Sequence, residues 1–370
     1  MYKWDKNYIQ FLKDKYSAMA ELTTSKDKKV RYEEVLGSLS MLPTHSLSIL
    51  HVEKTNYGED VDKEINLLHS YGSYTPIIRD LQKYYDKTNI PNVNLSKVNI
   101  SKDQLIDYCD QFYYQFNDKL VYTYSRVSSR FDKTLQFYNL KRNENNGGET
   151  YSIANTNLSF LEIGLNNTIQ DFIALAHEVE HAINSFNNIN IMYDIDKYCF
   201  IEADALFIEM ISADFISDKL DKQLDGFYYQ LVTLKDYLYS NEIICAKMDM
   251  YNELSGNHLY NKNDNITYLR NNTEYNNIFI KDIVSTKINT IFHYIISYLT
   301  AVELYLIYLE DNNKALDLYT KIRDIRGLSN TGYLNYVRSL GINPGTNFDK
   351  YIILLKKKGK SVHDKKLQHK

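Results

Sequence analysis

Residues that end helices are scarce in this chain. Its 370 residues include only 13 Gly and 4 Pro, well below ordinary usage, so few positions force a helix to stop. Apolar residues recur at three- and four-residue spacing, for example in Ile9 to Leu22, Val61 to His69 and Ile77 to Tyr85. The sequence therefore predicts a mainly α protein built from long helices.

Two short segments are the best candidates for strands. Tyr151 to Ile153 and Leu158 to Leu165 are rich in β-branched, aromatic and other apolar residues and follow the clearest loop, Arg142 to Thr150. The Asn-Asn-Thr sequence after Leu165 is expected to end the second strand and to cap a helix from about Thr168 to Phe186. Asp171 lies three residues after Thr168, as in a capping box. A small sheet is therefore expected directly before a helix.

The charge balance and the termini exclude several classes of protein. The formal net charge is −4, with 43 basic and 47 acidic side chains, so no basic field for nucleic acid is present. The N-terminal sequence MYKWDKNYIQFLKDKY has no apolar core of a secretory signal. Three widely spaced cysteines without a CxxC pair suit a reducing compartment. We expect a cytoplasmic protein.

One stretch, Ile288 to Leu309, is apolar enough to be considered for a membrane. It carries Asn289, His293, Ser297 and Glu303, which are costly in lipid. The stretch is therefore predicted to be a buried core helix, and no membrane partner is expected.

The sequence His177-Glu178-Val179-Glu180-His181 lies within the helix predicted after the strands. Two histidines four residues apart share one helix face and can bind one metal ion. Glu178 points about 100° away from His177, so it reaches a water on the metal more easily than the metal itself. Zinc acidifies such a water, and a carboxylate can take its proton as a general base. The motif indicates a zinc hydrolase.

A second apolar segment supplies a third ligand. A catalytic zinc site takes three protein ligands and keeps one position open. Glu202 stands in FIEADALFIE, where a carboxylate among apolar residues is costly unless it is paired or bound to metal. Glu209, two turns later on the same face, is a natural acceptor for a ligating imidazole. Asp204 is expected to be a surface or helix-start charge.

Two other interpretations of the motif are open. His177 and His181 could be structural histidines that form hydrogen bonds in the core. Glu178-x-x-His181 is also a ligand pair of di-metal helix bundles, but such a site needs a second Glu-x-x-His, and the sequence contains none.

At these residues the sequence resembles the zinc oligopeptidases of the oligopeptidase F and thimet oligopeptidase type. DFIALAHEVEH followed by FIEADALFIE is similar to the family's HExxH helix and its third-ligand helix. KRNENNGGETYSIANTNLSFLEIGL is similar to its Gly-rich loop and substrate-pairing strand. HYIISYLTAVELY and YLNYVRSLGINP are similar to its Tyr-bearing helix and closing segment. The resemblance runs from about residue 25 to residue 355.

The resemblance implies a multi-helix metallopeptidase catalytic domain with a small β-sheet beside the HExxH helix. It implies one Zn²⁺ per chain and short peptides as substrates, with Glu178 as the base. By the resemblance Tyr298 stabilises the oxyanion, and Tyr294 and His293 are fallback donors. The predicted metal ligands are His177, His181 and Glu202, and Glu209 and Asp171 are predicted to support them. The residues predicted to bind substrate as an added strand are Leu158, Ser159, Phe160, Leu161 and Glu162.

The sequence departs from the family in three ways. Glu180 stands where the family has Gly, which adds a charge beside the site. Ile288 and Ile291 stand near positions where the family has a further His and Tyr. The chain also resembles a short form without the family's N-terminal lobe, so we expect a more open cleft that admits longer substrates.

The sequence is consistent with a single catalytic domain over residues 1–355, with two helical lobes at about 1–140 and 141–355 as a variant, and a basic, solvated tail over 356–370. A rival hypothesis is a non-catalytic relative that holds peptides or a partner without cutting them. The sequence does not predict an oligomeric state.

Overall fold

The computed structural model describes residues 4–42, 72–85, 93–140, 147–187, 195–255, 283, 288–323 and 332–368. The predicted helix from Val61 to His69 and the first part of the loop from Arg142 to Thr150 lie outside these residues.

Helices dominate the described ranges. In chain order they are α1 Lys6–Leu22, α2 Lys26–Met41, α3 Thr75–Tyr85, α4 Lys102–Tyr113, α5 Asp118–Ser128, α6 Phe131–Thr134, α7 Gln170–Asn187, α8 Ile195–Lys219, α9 Gln223–Ser255, α10 Ile288–Glu310, α11 Asn312–Ile322, α12 Tyr333–Ser339 and α13 Phe348–Gln368. A three-stranded sheet lies between α6 and α7 in the chain. The prediction of a mainly α fold with a small sheet beside the HExxH helix is confirmed.

The strands are β1 Leu135–Asn139, β2 Gly148–Ile153 and β3 Leu158–Leu165, in the order β1-β3-β2. β3 is parallel to β1 and antiparallel to β2. β3 has the predicted bounds, whereas β2 begins at Gly148, three residues before the predicted start. β1 was not predicted, because LQFYN has only five residues and follows directly on the short helix α6.

The two faces of the sheet are covered by different helices. On one face, Trp4 packs in edge contact with Tyr151 and Phe160, and its indole N–H donates to the Leu161 carbonyl at 2.9 Å. This face joins α1 and α2 in one apolar cluster. On the other face lies α7, whose Ala176 carbonyl accepts a 2.8 Å hydrogen bond from the Tyr113 hydroxyl. The HExxH helix is therefore held between the sheet and the helices around α4.

The chain forms two compact units. One comprises residues 1–49, 94–193 and 204–229, and the other comprises 50–93, 194–203 and 230–370. The units interleave along the chain, whereas the predicted lobes divided it near residue 140. The boundary between Ala203 and Asp204 falls within the single continuous helix α8.

For two segments near the C-terminus, composition predicted a buried core helix and a solvated tail. Ile291–Glu310 is long and apolar enough to cross a membrane by length and composition, yet 72 % of its most apolar window is buried inside the protein. Such burial is typical of a core helix of a soluble protein. The segment predicted to be a solvated tail from residue 356 is helical as far as Gln368, because it continues α13.

The face of the sheet that packs against Trp4 also carries a buried carboxyl group, that of Glu162. Glu162 of β3 is 4 % exposed and lies opposite Glu149 on β2 and Gln136 on β1. Burial, and next the charge of Glu149, raise the pKa of Glu162 to about 7, while Gln136 opposes the shift. The neutral form of Glu162 is therefore favoured in the folded protein.

We predict that stability falls as the pH rises through this range. A carboxyl whose pKa is raised on folding binds its proton more tightly in the folded state, so stability is full below the unfolded pKa and is lost as the pH passes about 7. The expected loss between about pH 5 and pH 8 is on the order of 1–2 kcal/mol, reduced from the full conversion by solvent screening. Urea unfolding of the wild type and of Glu162→Gln would measure it.

Glu162→Gln should lose this pH dependence, and Glu149→Gln should move it to lower pH because a like charge is removed. An unchanged slope in Glu162→Gln would show that another group titrates.

Candidate metal centre

The turn from β3 into α7 sets the direction of the HExxH helix. The Asp171 carboxylate accepts hydrogen bonds from the backbone N–H groups of Asn166 and Asn167, both at 2.9 Å. Asn167 has a positive φ of 59°, which Asn tolerates better than most residues. The Thr168 hydroxyl accepts from the Gln170 N–H at 3.2 Å. Asp171 was predicted to support the metal ligands; instead, its two oxygens stabilise this turn.

Three predicted ligands come together. His177 and His181 lie on one face of α7 with ring centroids 4.6 Å apart. One ligand atom each from His177, His181 and Glu202 of α8 lie within 4.8 Å of one another. Glu202 is buried, and both histidines are partly buried. Two imidazoles and a carboxylate are the donor set of many catalytic zinc sites, so these residues fit a zinc ion.

Glu209 lies against His177, as predicted. Its Oε1 is 2.7 Å from His177 Nδ1, and its Oε2 accepts a 3.0 Å hydrogen bond from the Tyr229 hydroxyl. A carboxylate on Nδ1 orients an imidazole and leaves its Nε2 available for a metal ion. Tyr229, at the start of α9, was not identified from the sequence, because nothing in its local pattern distinguishes it from the other 33 tyrosines.

The surroundings of His181 favour its neutral form. Burial, and next the charge of His177, hold the pKa of His181 well below its usual range. The neutral imidazole has a free lone pair, which is the form that coordinates a metal.

Glu178 is held from the sheet side. Its carboxylate Oε2 lies 2.7 Å from the Thr150 hydroxyl, and its backbone carbonyl lies 2.9 Å from the same hydroxyl. Burial raises the pKa of Glu178, whereas the charge of His177 and the hydrogen bond from Thr150 lower it. Glu178 is thus a buried carboxyl beside the ligand histidines, with a fixed donor on one of its oxygens.

Gly148 allows β2 to approach Glu178. A Cβ at Gly148 would lie 2.3 Å from Cγ of Glu178, which is too close for a side chain, and 3.0 Å from the Glu162 carbonyl oxygen, which is a tight contact. Only glycine fits where the strand passes over the carboxylate. The sequence showed the glycine pair of the predicted loop but not this contact.

Two acidic residues near the site are more buried than the sequence suggested. Asp204 was expected at the surface, yet it is completely buried, with its carboxylate 3.4 Å from the Asn184 side-chain nitrogen. Glu180 was predicted to add a charge beside the site and is also completely buried. Apolar neighbours in the sequence therefore indicated burial for Asp204 as well as for Glu202.

The predicted substrate-pairing strand needs correction. β3 is the central strand, and each of its residues expected to bind substrate is buried in the sheet: Leu158, Ser159, Phe160, Leu161 and Glu162. Pairing with β2 along the whole of this segment occupies one edge, and pairing with β1 also occupies the other at Leu161 and Glu162. An added strand would need a free edge, and β3 has none at Leu161 and Glu162; for Leu158, Ser159 and Phe160 a substrate-pairing role stays a prediction.

Among the described residues, β2 is the edge strand next to Glu178. The Gly164 N–H donates to the Gly147 carbonyl at 2.9 Å, so this pair is of the hydrogen-bonded type. Since such pairs alternate along antiparallel strands, Glu149 bonds to β3, whereas the backbone groups of Gly148 and Thr150 point to the outer edge. β2 therefore presents backbone donors and acceptors beside Glu178.

The predicted oxyanion donors lie on α10, in the second unit. Tyr298 is buried and stacks on Tyr237 with ring centroids 3.9 Å apart. His293 is buried, Tyr294 is 36 % exposed, and their rings are 4.5 Å apart. Stacking of this kind is typical of core aromatics, and a catalytic role for any of the three stays a prediction.

Comparison with solved structures agrees with the helical architecture. A 3.1 Å structure provisionally named oligoendopeptidase F matches with a TM-score of 0.50 and 13% identity, over 95% of this chain and 65% of that chain. The chain has an oligoendopeptidase F-like fold. A structure provisionally assigned as oligoendopeptidase F from Bacillus anthracis str. Ames matches with a TM-score of 0.49 and 14% identity, over 91% of this chain and 62% of that chain.

The chain thus spans less than two thirds of the length of either structure. No protein-family model matches the sequence, and no curated protein matches it.

The close approach at Gly148 gives a matched pair of substitutions. Gly148→Ala should lower the free energy of unfolding by about 1–3 kcal/mol, because the new methyl group must displace Glu178 or the strand. Gly147→Ala should change it by less than about 0.5 kcal/mol, because no atom of the described residues lies within 4 Å of a Cβ placed there. Denaturant unfolding of both variants measures the difference, and equal values would show that β2 does not press on Glu178.

Proposed function

We propose that this protein is a zinc-dependent endopeptidase or oligopeptidase. His177, His181 and Glu202 would hold the ion, and Glu178 would be the general base. The observation that carries the proposal is the convergence of two imidazoles and one buried carboxylate within 4.8 Å, with Glu178 next to the first histidine in the chain. The fold shared with the structure provisionally named oligoendopeptidase F makes peptides the favoured substrate class.

The chain's own residues have defined tasks in this proposal. A bound zinc ion supplies Lewis-acid chemistry, lowering the pKa of water and polarising a carbonyl. Glu178 takes a proton from the attacking water and passes it to the amine that leaves when the C–N bond breaks. Its burial, which raises its pKa, makes it a stronger base than a surface carboxylate. Glu209 keeps Nδ1 of His177 occupied and so orients the ring.

Substrate is expected to pair with the outer edge of β2. Backbone groups of Gly148 and Thr150 point to this edge, and Thr150 also contacts Glu178. Pairing through the backbone positions a peptide bond with little dependence on side-chain sequence. The scissile bond of an extended peptide would then lie near the base, and we expect broad sequence tolerance. Tyr298, with Tyr294 and His293 as fallbacks, would donate a hydrogen bond to the oxyanion.

The general-base role is tested by a single oxygen-to-nitrogen exchange. Glu178→Gln should retain bound zinc but lower kcat for peptide cleavage by about 100- to 10,000-fold, the range for removal of a general base. The assay is mass spectrometry of a mixed peptide library of graded length after incubation with zinc-loaded protein. Glu33→Gln, at an exposed position of α2, is the control and should cleave as the wild type does.

Undiminished cleavage by Glu178→Gln would contradict the mechanism. Zinc binding by the wild type without cleavage of any peptide would instead support a non-catalytic peptide-binding relative. The length distribution of the cleaved peptides also reports whether the cleft admits longer substrates than full-size oligopeptidases do.

A further inference from the structure

Thr150 connects two parts of the proposed site. Its hydroxyl is 2.7 Å from Oε2 of Glu178 and 2.9 Å from the Glu178 carbonyl oxygen. A hydroxyl has one proton to donate, and a carboxylate is the stronger acceptor. The shorter of the two contacts is the one to the carboxylate. The side chain of Glu178 is therefore held at one oxygen, and its other oxygen is left for proton transfer.

The side chain and the backbone groups of Thr150 point in different directions. Its side chain lies on the α7 face of the sheet, since it contacts Glu178, while its backbone N–H and C=O point to the outer edge of β2. Two residues earlier, Gly148 passes so close to Cγ of Glu178 that no side chain fits between them. A displacement of β2 would therefore be transmitted directly to the carboxylate.

We propose that Thr150 is a positioning residue that aligns Glu178 with a peptide paired on β2. This inference rests on the proposed peptidase function and adds a residue that acts through the base. A hydroxyl on Oε2 restricts the carboxylate to one rotamer, so less reorganisation is needed when the proton is transferred. Because the same residue contributes the backbone edge, the register of the substrate and the position of the base are linked.

A purely structural role predicts different behaviour. If the hydroxyl only joins β2 to α7 by a hydrogen bond, its loss should affect kcat in the same way as the loss of any other hydrogen bond between these elements. Such a bond exists close by: the hydroxyls of Ser152 on β2 and Ser185 on α7 are in hydrogen-bond contact. Ser152 thus provides a matched control in the same strand, on the same face and against the same helix.

The test compares Thr150→Val, Thr150→Ser and Ser152→Ala. Valine keeps the shape and β-branching of threonine without the hydroxyl, and serine restores the hydroxyl. We expect Thr150→Val to lower kcat about tenfold, with KM and bound zinc within about twofold of the wild type. Thr150→Ser should recover most of kcat, and Ser152→Ala should retain it. Steady-state kinetics with a fluorogenic peptide and zinc analysis give all three quantities.

The proposal is overturned if Thr150→Val keeps kcat within twofold, or if Thr150→Val and Ser152→Ala lose it equally. It is also overturned if serine gives no recovery. Absence of cleavage by the wild type itself is a separate result, which would overturn the proposed function and the positioning role with it.

A thermal double-mutant cycle tests the contact without any assay of activity. Thr150→Val should lower the melting temperature in the wild-type background and should have a smaller effect when Glu178 is already replaced by Ala, since the carboxylate is then missing and only the backbone carbonyl of residue 178 remains as an acceptor. Equal shifts in the two backgrounds would show that Thr150 and Glu178 are not coupled.

Discussion

The contact between strand β2 and helix α7 at Glu178 is the constraint around which the site is arranged. Gly148 lets the strand pass within van der Waals distance of the side chain, and Thr150 donates a hydrogen bond to it. These contacts bury the Glu178 carboxyl group, and this burial raises its pKa. A raised pKa suits a general base, because a desolvated carboxylate binds a proton more strongly than a hydrated one.

The proposed ligand set comes from two helices, α7 and α8. The i, i+4 spacing places His177 and His181 on one face, and α8 contributes Glu202 and, two turns later, Glu209. Glu209 accepts from Tyr229 on α9 while it contacts His177, so three helices fix one imidazole. This is the arrangement by which proteins orient a metal ligand before the metal arrives.

Local sequence patterns predicted the parts of the site that depend on one or two helices. The spacing within HEVEH and the carboxylates in FIEADALFIE are periodic features, so His177, Glu202 and Glu209 could be found without a structure. The strand order could not, because pairing of β1 with β3 joins residues 26 apart through side chains with no distinctive pattern. Without that order, the sequence predicted β3 as the substrate-pairing strand, whereas we propose the outer edge of β2.

Local sequence patterns also could not show which residues meet across the fold, and this explains why several other residues were missed or misassigned. Thr150, Gly148 and Tyr229 acquire their roles only through contacts made across the fold. Asp171 and Asp204 were assigned from their nearest neighbours in the chain, yet a turn in one case and an asparagine of α7 in the other determine their surroundings.

We propose that His177, His181 and Glu202 bind one zinc ion. X-ray absorption at the zinc edge of the zinc-loaded protein tests it most directly. We expect only nitrogen and oxygen ligands at about 2.0–2.2 Å, with the outer scattering of two imidazoles. A sulfur ligand at about 2.3 Å, or a spectrum without imidazole scattering, would contradict it.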